Sequence, residues 1–217
     1  MDIEQSRFNM VEQQIRPWDV LDQDVLDLLF KVRREDFVPP AHRALAFVDM
    51  ELPIGHGQKM WTPKLEARTL QELDVQPADR VLEIGTGSGY FTALLASMAA
   101  EVVSVDIFPD FTASATQKLR AHGFGNVVLH SGDAARDWAD DAGFDVIVLT
   151  GSTPLLSDAL VRRLRVGGRL FAITGEAPVM EARLVTCTAP GATRSVNLFE
   201  TCVAPLVNAP RPAAFVF

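Results

Sequence analysis

The chain has 217 residues, 48% of them hydrophobic and 22% charged, a balance that fits one globular domain with a sizeable core and not a disordered or fibrous chain. A net charge of −8 argues against a broad contact with nucleic acid, and no apolar run approaches the roughly 20 residues of a membrane-spanning helix. The polar, acidic opening "MDIEQSRFNMVEQQ" is unlike a signal peptide. Cys187 and Cys202 make no disulfide framework, so a cytoplasmic chain with both thiols reduced and buried as small hydrophobes is expected.

In chain order, the first fifty residues read as helical. "DQDVLDLLFKV" places Val25, Leu28, Leu29 and Val32 on one helical face, and Pro39–Pro40 breaks any continuation. "ELPIGHGQKMWTP" follows, too punctuated by glycine and proline for a core element. A helix over "KLEARTLQELD" is expected just after Pro63, with Leu65, Leu70 and Leu73 inward. From Arg80 the pattern alternates. "RVLEIG", "EVVSVD", "NVVLHSGD", "FDVIVLTG" and "RLFAITG" read as strands, separated by helices over "YFTALLASMA" and "FTASATQKLRAHG" and by a helix and turn over "LLSDALVRRLRVGG". Gly123 is placed to end the second of these helices. This order predicts a doubly wound α/β fold with a mostly parallel sheet. The tail, "ARLVTCTA" and "TRSVNLFETCVAPLV" about Pro190–Gly191, predicts an antiparallel hairpin at one edge.

The chemistry concentrates in "VLEIGTGSGYFTALLA". Gly85, Gly87 and Gly89 alternate with Thr86 and Ser88 between a strand and a helix, where glycine lets backbone approach a ligand. In an open α/β sheet that loop lies outside the carboxyl ends of the strands, where ligands bind. Asp106 ends the next strand, followed by Ile107, and can accept hydrogen bonds from both ribose hydroxyls. Gly132–Asp133 ends the third strand, where an acid could meet the amino group of an adenine, and Thr150 and Gly151 end the fourth. The dinucleotide fingerprint G-x-G-x-x-G is not met, because its third glycine position holds Tyr90. Glu83, two residues before the loop, disfavours a pyrophosphate and suits a cationic ligand. The pattern therefore predicts an S-adenosyl-L-methionine site, with Glu83 beside the amino-acid portion.

"LPIGHGQ", "VLEIGTGSGY", "FDVIVLT" and "VGGRL" in this order, with "VRREDFVP" before them and "VAPLV" after, resemble the protein-L-isoaspartate O-methyltransferases over nearly the whole chain. That resemblance implies a cytosolic monomer of the methyltransferase (Rossmann-like) fold. It would use S-adenosyl-L-methionine, leaving S-adenosyl-L-homocysteine, to methylate the carboxylate of isoaspartyl residues in damaged proteins, without nucleic-acid or membrane partners. It implies one domain over 1–217, with 1–60 as helical extension and acceptor-side loop and 61–217 as donor-binding core. By position, Gly85, Gly87 and Gly89 would wrap the donor, Asp106 would hold its ribose, Asp133 and Ala134 would lie by the adenine, and Gln58, Lys59, Met60, Trp61 and Thr62 would lie over the methyl group and the acceptor.

On the acceptor side the chain departs from the family pattern. The active-site serine corresponds to Trp61, with Thr62 as the neighbouring hydroxyl. The motif Pro-Val-Gly is Ile173, Thr174 and Gly175, and the alanine pair after Thr150 is Gly151 and Ser152. Three readings stay open: an isoaspartyl O-methyltransferase, a methyltransferase of another and perhaps small-molecule acceptor, and a donor-binding protein without transfer. A carboxylate acceptor is ionised at neutral pH and needs no general base, so the lack of a Ser-His-Asp or paired-acid constellation does not count against catalysis, and no metal site is expected. For a hydroxyl or amine acceptor His56 is the nearest base, unless it only shapes the Gly-His-Gly turn. Lys59 and Lys64 are either solvated or steer an anionic acceptor. Trp61 is either packed on the domain or a wall of the acceptor pocket.

Overall fold

A computed structural model describes residues 2–140 and 142–212 of the chain. Its N-terminal extension begins with helix α1 (Ile3–Asn9), whose first N–H groups at Glu4 and Gln5 are capped by the Asp2 carboxylate. The chain runs on through a π-helical turn and a short 3₁₀ turn into α2 (Gln23–Lys31), capped by Asp22 in the same way. Met10, Val11, Ile15, Val25, Leu26 and Leu29 face inward and join the main hydrophobic core, so the extension is part of the domain's packing.

The punctuated stretch after Met50 is a small antiparallel hairpin, β1 (Leu52–Gly55) and β2 (Gln58–Met60), separate from the main sheet. Its turn takes three positive φ values in succession, at Gly55, His56 and Gly57. Helix α3 (Pro63–Leu73) starts at Pro63, as expected, because proline's fixed φ and missing N–H suit the first helical position.

The core is a seven-stranded sheet. Its strands are β3 (Arg80–Ile84), β4 (Glu101–Asp106), β5 (Val127–Ser131), β6 (Phe144–Thr153), β7 (Leu164–Glu176), β8 (Val179–Ala189) and β9 (Ala192–Thr201). The order is β5-β4-β3-β6-β7-β8-β9. Strands β5 to β7 run parallel, and β8 and β9 form the expected antiparallel edge with Pro190–Gly191 at their turn. Helices α4 (Tyr90–Met98) and α5 (Pro109–Ala121) connect the parallel strands, and Gly123, at φ +80°, closes α5. Strand residues alternate between two cores: Val81, Val102, Val146 and Phe171 on one side, Leu82, Val103, Ile147 and Leu170 on the other. The chain leaves β3 toward β4 and β5, then returns to β6 on the far side of β3. The carboxyl end of β3 is therefore a topological switch point.

Two local expectations change. Of the helix and turn expected over residues 155–168, the helix is only α6 (Asp158–Arg162), and β7 begins already at Leu164. Phe144 N–H donates to the Arg163 carbonyl at 2.9 Å, so the sheet captures the chain early. A Cβ at Gly168 would meet three backbone carbonyls at 2.9–3.1 Å, a close approach that only glycine permits. Of the two cysteines, Cys187 is buried but Cys202 is exposed, because it lies just past the end of β9.

Candidate functional site

The glycine loop sits at the switch point, with Gly85, Gly87 and Gly89 at φ +104°, +51° and +83°. A Cβ at Gly85 would lie 2.2 Å from Thr150 Oγ1, and one at Gly89 would lie 2.9 Å from Ala115 Cβ on α5. The loop needs glycine at both, first to pass β6 and then to seat α4 against α5. Its backbone is tied on several sides. Gly85 N–H donates to Val105 O at 2.8 Å, Thr150 Oγ1 donates to Gly85 O at 2.6 Å, and Lys118 Nζ donates to Ser88 O at 3.2 Å. Asp106, 6% exposed, accepts from Gly87 N–H at 2.8 Å and Phe108 N–H at 2.9 Å. Burial raises its pKa, and these two N–H groups partly offset that.

One pocket gathers most of the predicted residues: Gln58, Lys59 and Met60 from the hairpin, then Trp61, the loop residues Gly85, Thr86, Gly87 and Ser88, and Asp106, Ile107, Asp133, Ala134 and Thr150 from the strand ends. The Asp133 carboxylate accepts from Ala135 N–H at 3.1 Å and from Asn208 Nδ2 at 2.9 Å. The hairpin covers this pocket. Ile54 Cδ1 lies 3.1 Å from where a Gly87 Cβ would be, and His56 at the tip stacks on Phe108 with ring centroids 4.2 Å apart.

Three predicted residues fall outside the lining. Thr62 caps α3, its Oγ1 accepting from Leu65 N–H at 3.4 Å, so its hydroxyl points to a helix terminus and not toward an acceptor. Gly89 turns to α5, as described. Glu83 corrects the expectation of an acid facing the ligand's cationic portion. It shares the parity of Val81 and so lies under α4, fully buried, with Oε2 accepting from Thr92 Oγ1 at 2.5 Å and Ser104 Oγ at 2.6 Å. Burial pushes its pKa up to about 8, so this carboxyl is largely neutral at pH 7. Its contribution reaches the pocket through Ser104, whose hydroxyl also meets that of Thr86 at 2.6 Å.

The two lysines are both paired. Lys59 meets Glu51 at 2.9 Å, and Lys64 meets Asp49 at 2.7 Å while lying over the Trp18 ring. Their charges are compensated locally, which removes the reading of two free cations steering an anion. His56 Nε2 faces the Asp110 carboxylate at 2.9 Å and does not line the pocket, so it latches the hairpin to α5. Trp61 combines its two readings. It is 5% exposed and packs edge-on against Phe91 and Phe171 at 5.7 and 6.4 Å, yet one side of it borders the pocket.

Sequence reasoning missed Glu66, Phe91 and the tail at Val203, Pro205 and Leu206, all of which line the pocket. The tail reaches the site because Leu206 N–H and Ser152 O pair at 2.9 Å, a tertiary contact with no local signal. Glu66 carries a weak one, an acid on the inward helical face that also holds Leu65, Leu70 and Leu73.

The sequence pattern of the family Protein-L-isoaspartate(D-aspartate) O-methyltransferase (PCMT) matches residues 5–208. The chain belongs to this family. A protein-L-isoaspartate O-methyltransferase of Gloeobacter violaceus is 38% identical over 199 residues, covering 92% of this chain and 97% of that protein. One of Methanoculleus marisnigri is 37% identical over 203 residues, covering 93% and 91%. A Plasmodium falciparum beta-aspartate methyltransferase, solved in complex with S-adenosyl-L-homocysteine, shares the fold with a TM-score of 0.79 at 20% identity, over 91% of this chain and 96% of that one. As a PCMT family member the chain is an S-adenosyl-L-methionine-dependent methyltransferase. The pocket fits that donor. It has a cradle that a Cβ would fill at Gly85, an acid at the end of β4, and apolar lining from Ile107, Phe108 and Ala134 along with Asp133. No helix among the described residues is long and apolar enough to cross a membrane.

Proposed function

We propose that the chain methylates the free carboxylate of isoaspartyl residues in damaged proteins, as a cytoplasmic monomer acting through a single domain spanning 1–217. The observation that carries this reading is the family match over residues 5–208, which includes every element of the pocket. Bound S-adenosyl-L-methionine supplies a methyl group already activated by its sulfonium. Asp106 would accept from the ribose hydroxyls, and Asp133 and Ala134 would border the adenine. The Gly85–Gly89 backbone would follow the amino-acid portion. Gln58, Lys59 and Met60 on the hairpin exclude water from above, and Trp61 and Phe91 wall the side from which an acceptor approaches. A carboxylate arriving there is ionised at neutral pH, with an ordinary pKa near 4, so alignment is the main task of these walls. His56, held by Asp110, is not needed as a base.

A second reading, in which the acceptor is a different and smaller molecule, is favoured by one observation: the Trp61 ring occupies the position at which the family carries a serine. Calorimetry with S-adenosyl-L-homocysteine, then transfer of labelled methyl to an isoaspartyl peptide and to its aspartyl counterpart, separates the readings. Transfer to the isoaspartyl peptide alone is expected. Binding without transfer to either peptide would move the assignment to another acceptor or to a donor-binding protein.

A further inference from the structure

Glu66 lies near the start of α3, is 2% exposed, and borders the pocket with Trp61 and Phe91. Its Oε2 accepts from Arg34 Nε at 3.0 Å. Arg34 is itself fixed, donating from Nη1 to Ala46 O at 2.8 Å and from Nη2 to Trp61 O at 2.6 Å. Among the described residues no hydrogen bond reaches Glu66 Oε1, and that oxygen is not sealed in as Glu83 Oε1 and Tyr90 Oη are. The pocket thus contains a rigidly held carboxyl with one open acceptor. The other charged or titratable groups around it are the Tyr90 phenol from α4 and, farther back, the Arg7–Glu35 pair. The Lys59–Glu51 pair and Asp106 also line the pocket.

We propose that Glu66 receives the ammonium of the donor's amino-acid portion, and that donor binding expels a proton from this carboxyl. The inference rests on the donor reading above. Asp106 and Asp133 already accept backbone or side-chain hydrogen bonds at the nucleoside end, and Glu83 is sealed beneath α4. Glu66 is therefore the acid available to a cation at the opposite end. Burial raises its pKa to about 7, with Arg34 offsetting only part of that cost. At and below neutrality a share of the free protein carries a proton there. An ammonium on Oε1 favours the ionised form, and the proton leaves to solvent. Donor affinity should then weaken as pH falls below about 7, with a limiting slope of about tenfold per pH unit, and level off above it.

The test is calorimetry of S-adenosyl-L-homocysteine binding between about pH 5.5 and 7.5, in two buffers of different ionisation enthalpy. The control is 5′-methylthioadenosine, which has the nucleoside thioether but no amino-acid portion. Expected are release of a fraction approaching one proton at the acid end, a matching fall in affinity, and neither effect with the control. Glu66→Gln should bind roughly tenfold or more weakly at pH 7.5 and lose the pH dependence. The wild-type proton count decides the matter even if the variant folds poorly with Arg34 unpaired. Tight binding without proton release, or equal release with the control, would overturn the inference and leave the donor site standing. No binding at any pH would overturn both.

Discussion

At the scale of single residues, Trp61 and Gly85 have opposite relations to the sequence. Gly85 was legible: a glycine between a buried strand and a helix announces a tight approach, and the structure supplies its object, Thr150 Oγ1. Gly85→Ala adds a Cβ 2.2 Å from that oxygen at φ +104°. It should cost about 1–3 kcal/mol in denaturant unfolding and weaken S-adenosyl-L-homocysteine binding by at least roughly tenfold in calorimetry. Trp61 was legible as a departure but not as a packing element. Its ring is wedged between Phe91 and Phe171, so Trp61→Ser should destabilise the fold by about 3–5 kcal/mol, read from the same unfolding curves. Trp61→Phe keeps most of that packing. It is the better probe of the acceptor wall, and a lower KM for an isoaspartyl peptide is its expected outcome.

At the scale of elements, the hairpin Leu52–Met60 was the least legible part. Strands of four and three residues are too short for an alternating pattern, and "PIGHG" reads as a loop until its pairing is seen. Its position over the pocket depends on contacts far along the chain, with Phe108 beneath His56 and Asp110 paired to it. That pairing holds the Asp110 carboxyl below the usual range. His56→Ala should leave the fold intact and speed S-adenosyl-L-homocysteine dissociation several-fold in stopped-flow measurements. An unchanged rate would mean that the hairpin does not gate the site. Helix α3 was legible from Pro63, but the duty of Thr62 was not. As the N-cap of α3 it should cost about 1 kcal/mol when replaced by alanine, with methyl transfer otherwise retained.

At the scale of the whole molecule, two fully buried carboxyls contribute most to the pH dependence of stability toward neutral and alkaline pH. Glu66 and Glu83 have pKa values of about 7 and about 8 in the fold, against an ordinary value of 4.5. The folded state therefore holds protons that the unfolded chain releases between those values. Stability from these two groups is full below about pH 4.5 and is lost as pH rises toward 8. The half-buried Asp137 and Asp140, lowered chiefly by hydrogen bonds from Arg163 and Arg80, act in the opposite sense at more acid pH. Glu83→Gln should flatten the upper part of the decline, a difference of a few kcal/mol between about pH 5 and 8, measured by urea unfolding across pH.

The order of elements, the parallel sheet with its antiparallel edge, the glycine loop and the acids at the strand ends were all written locally, as runs of apolar residues closed by glycine or aspartate. Those signals depend on a few neighbouring positions, and the sequence by itself was enough to read them. Only the tertiary structure decided which acid meets the pocket. Glu83 and Glu66 are both buried carboxyls near the loop. Strand parity turns Glu83 under α4, while the pitch of α3 and the anchored Arg34 turn Glu66 toward the pocket. The same holds for the tail at Leu206 and for the latch at His56: each is a contact between segments distant in the chain, and no local pattern encodes the distance between them.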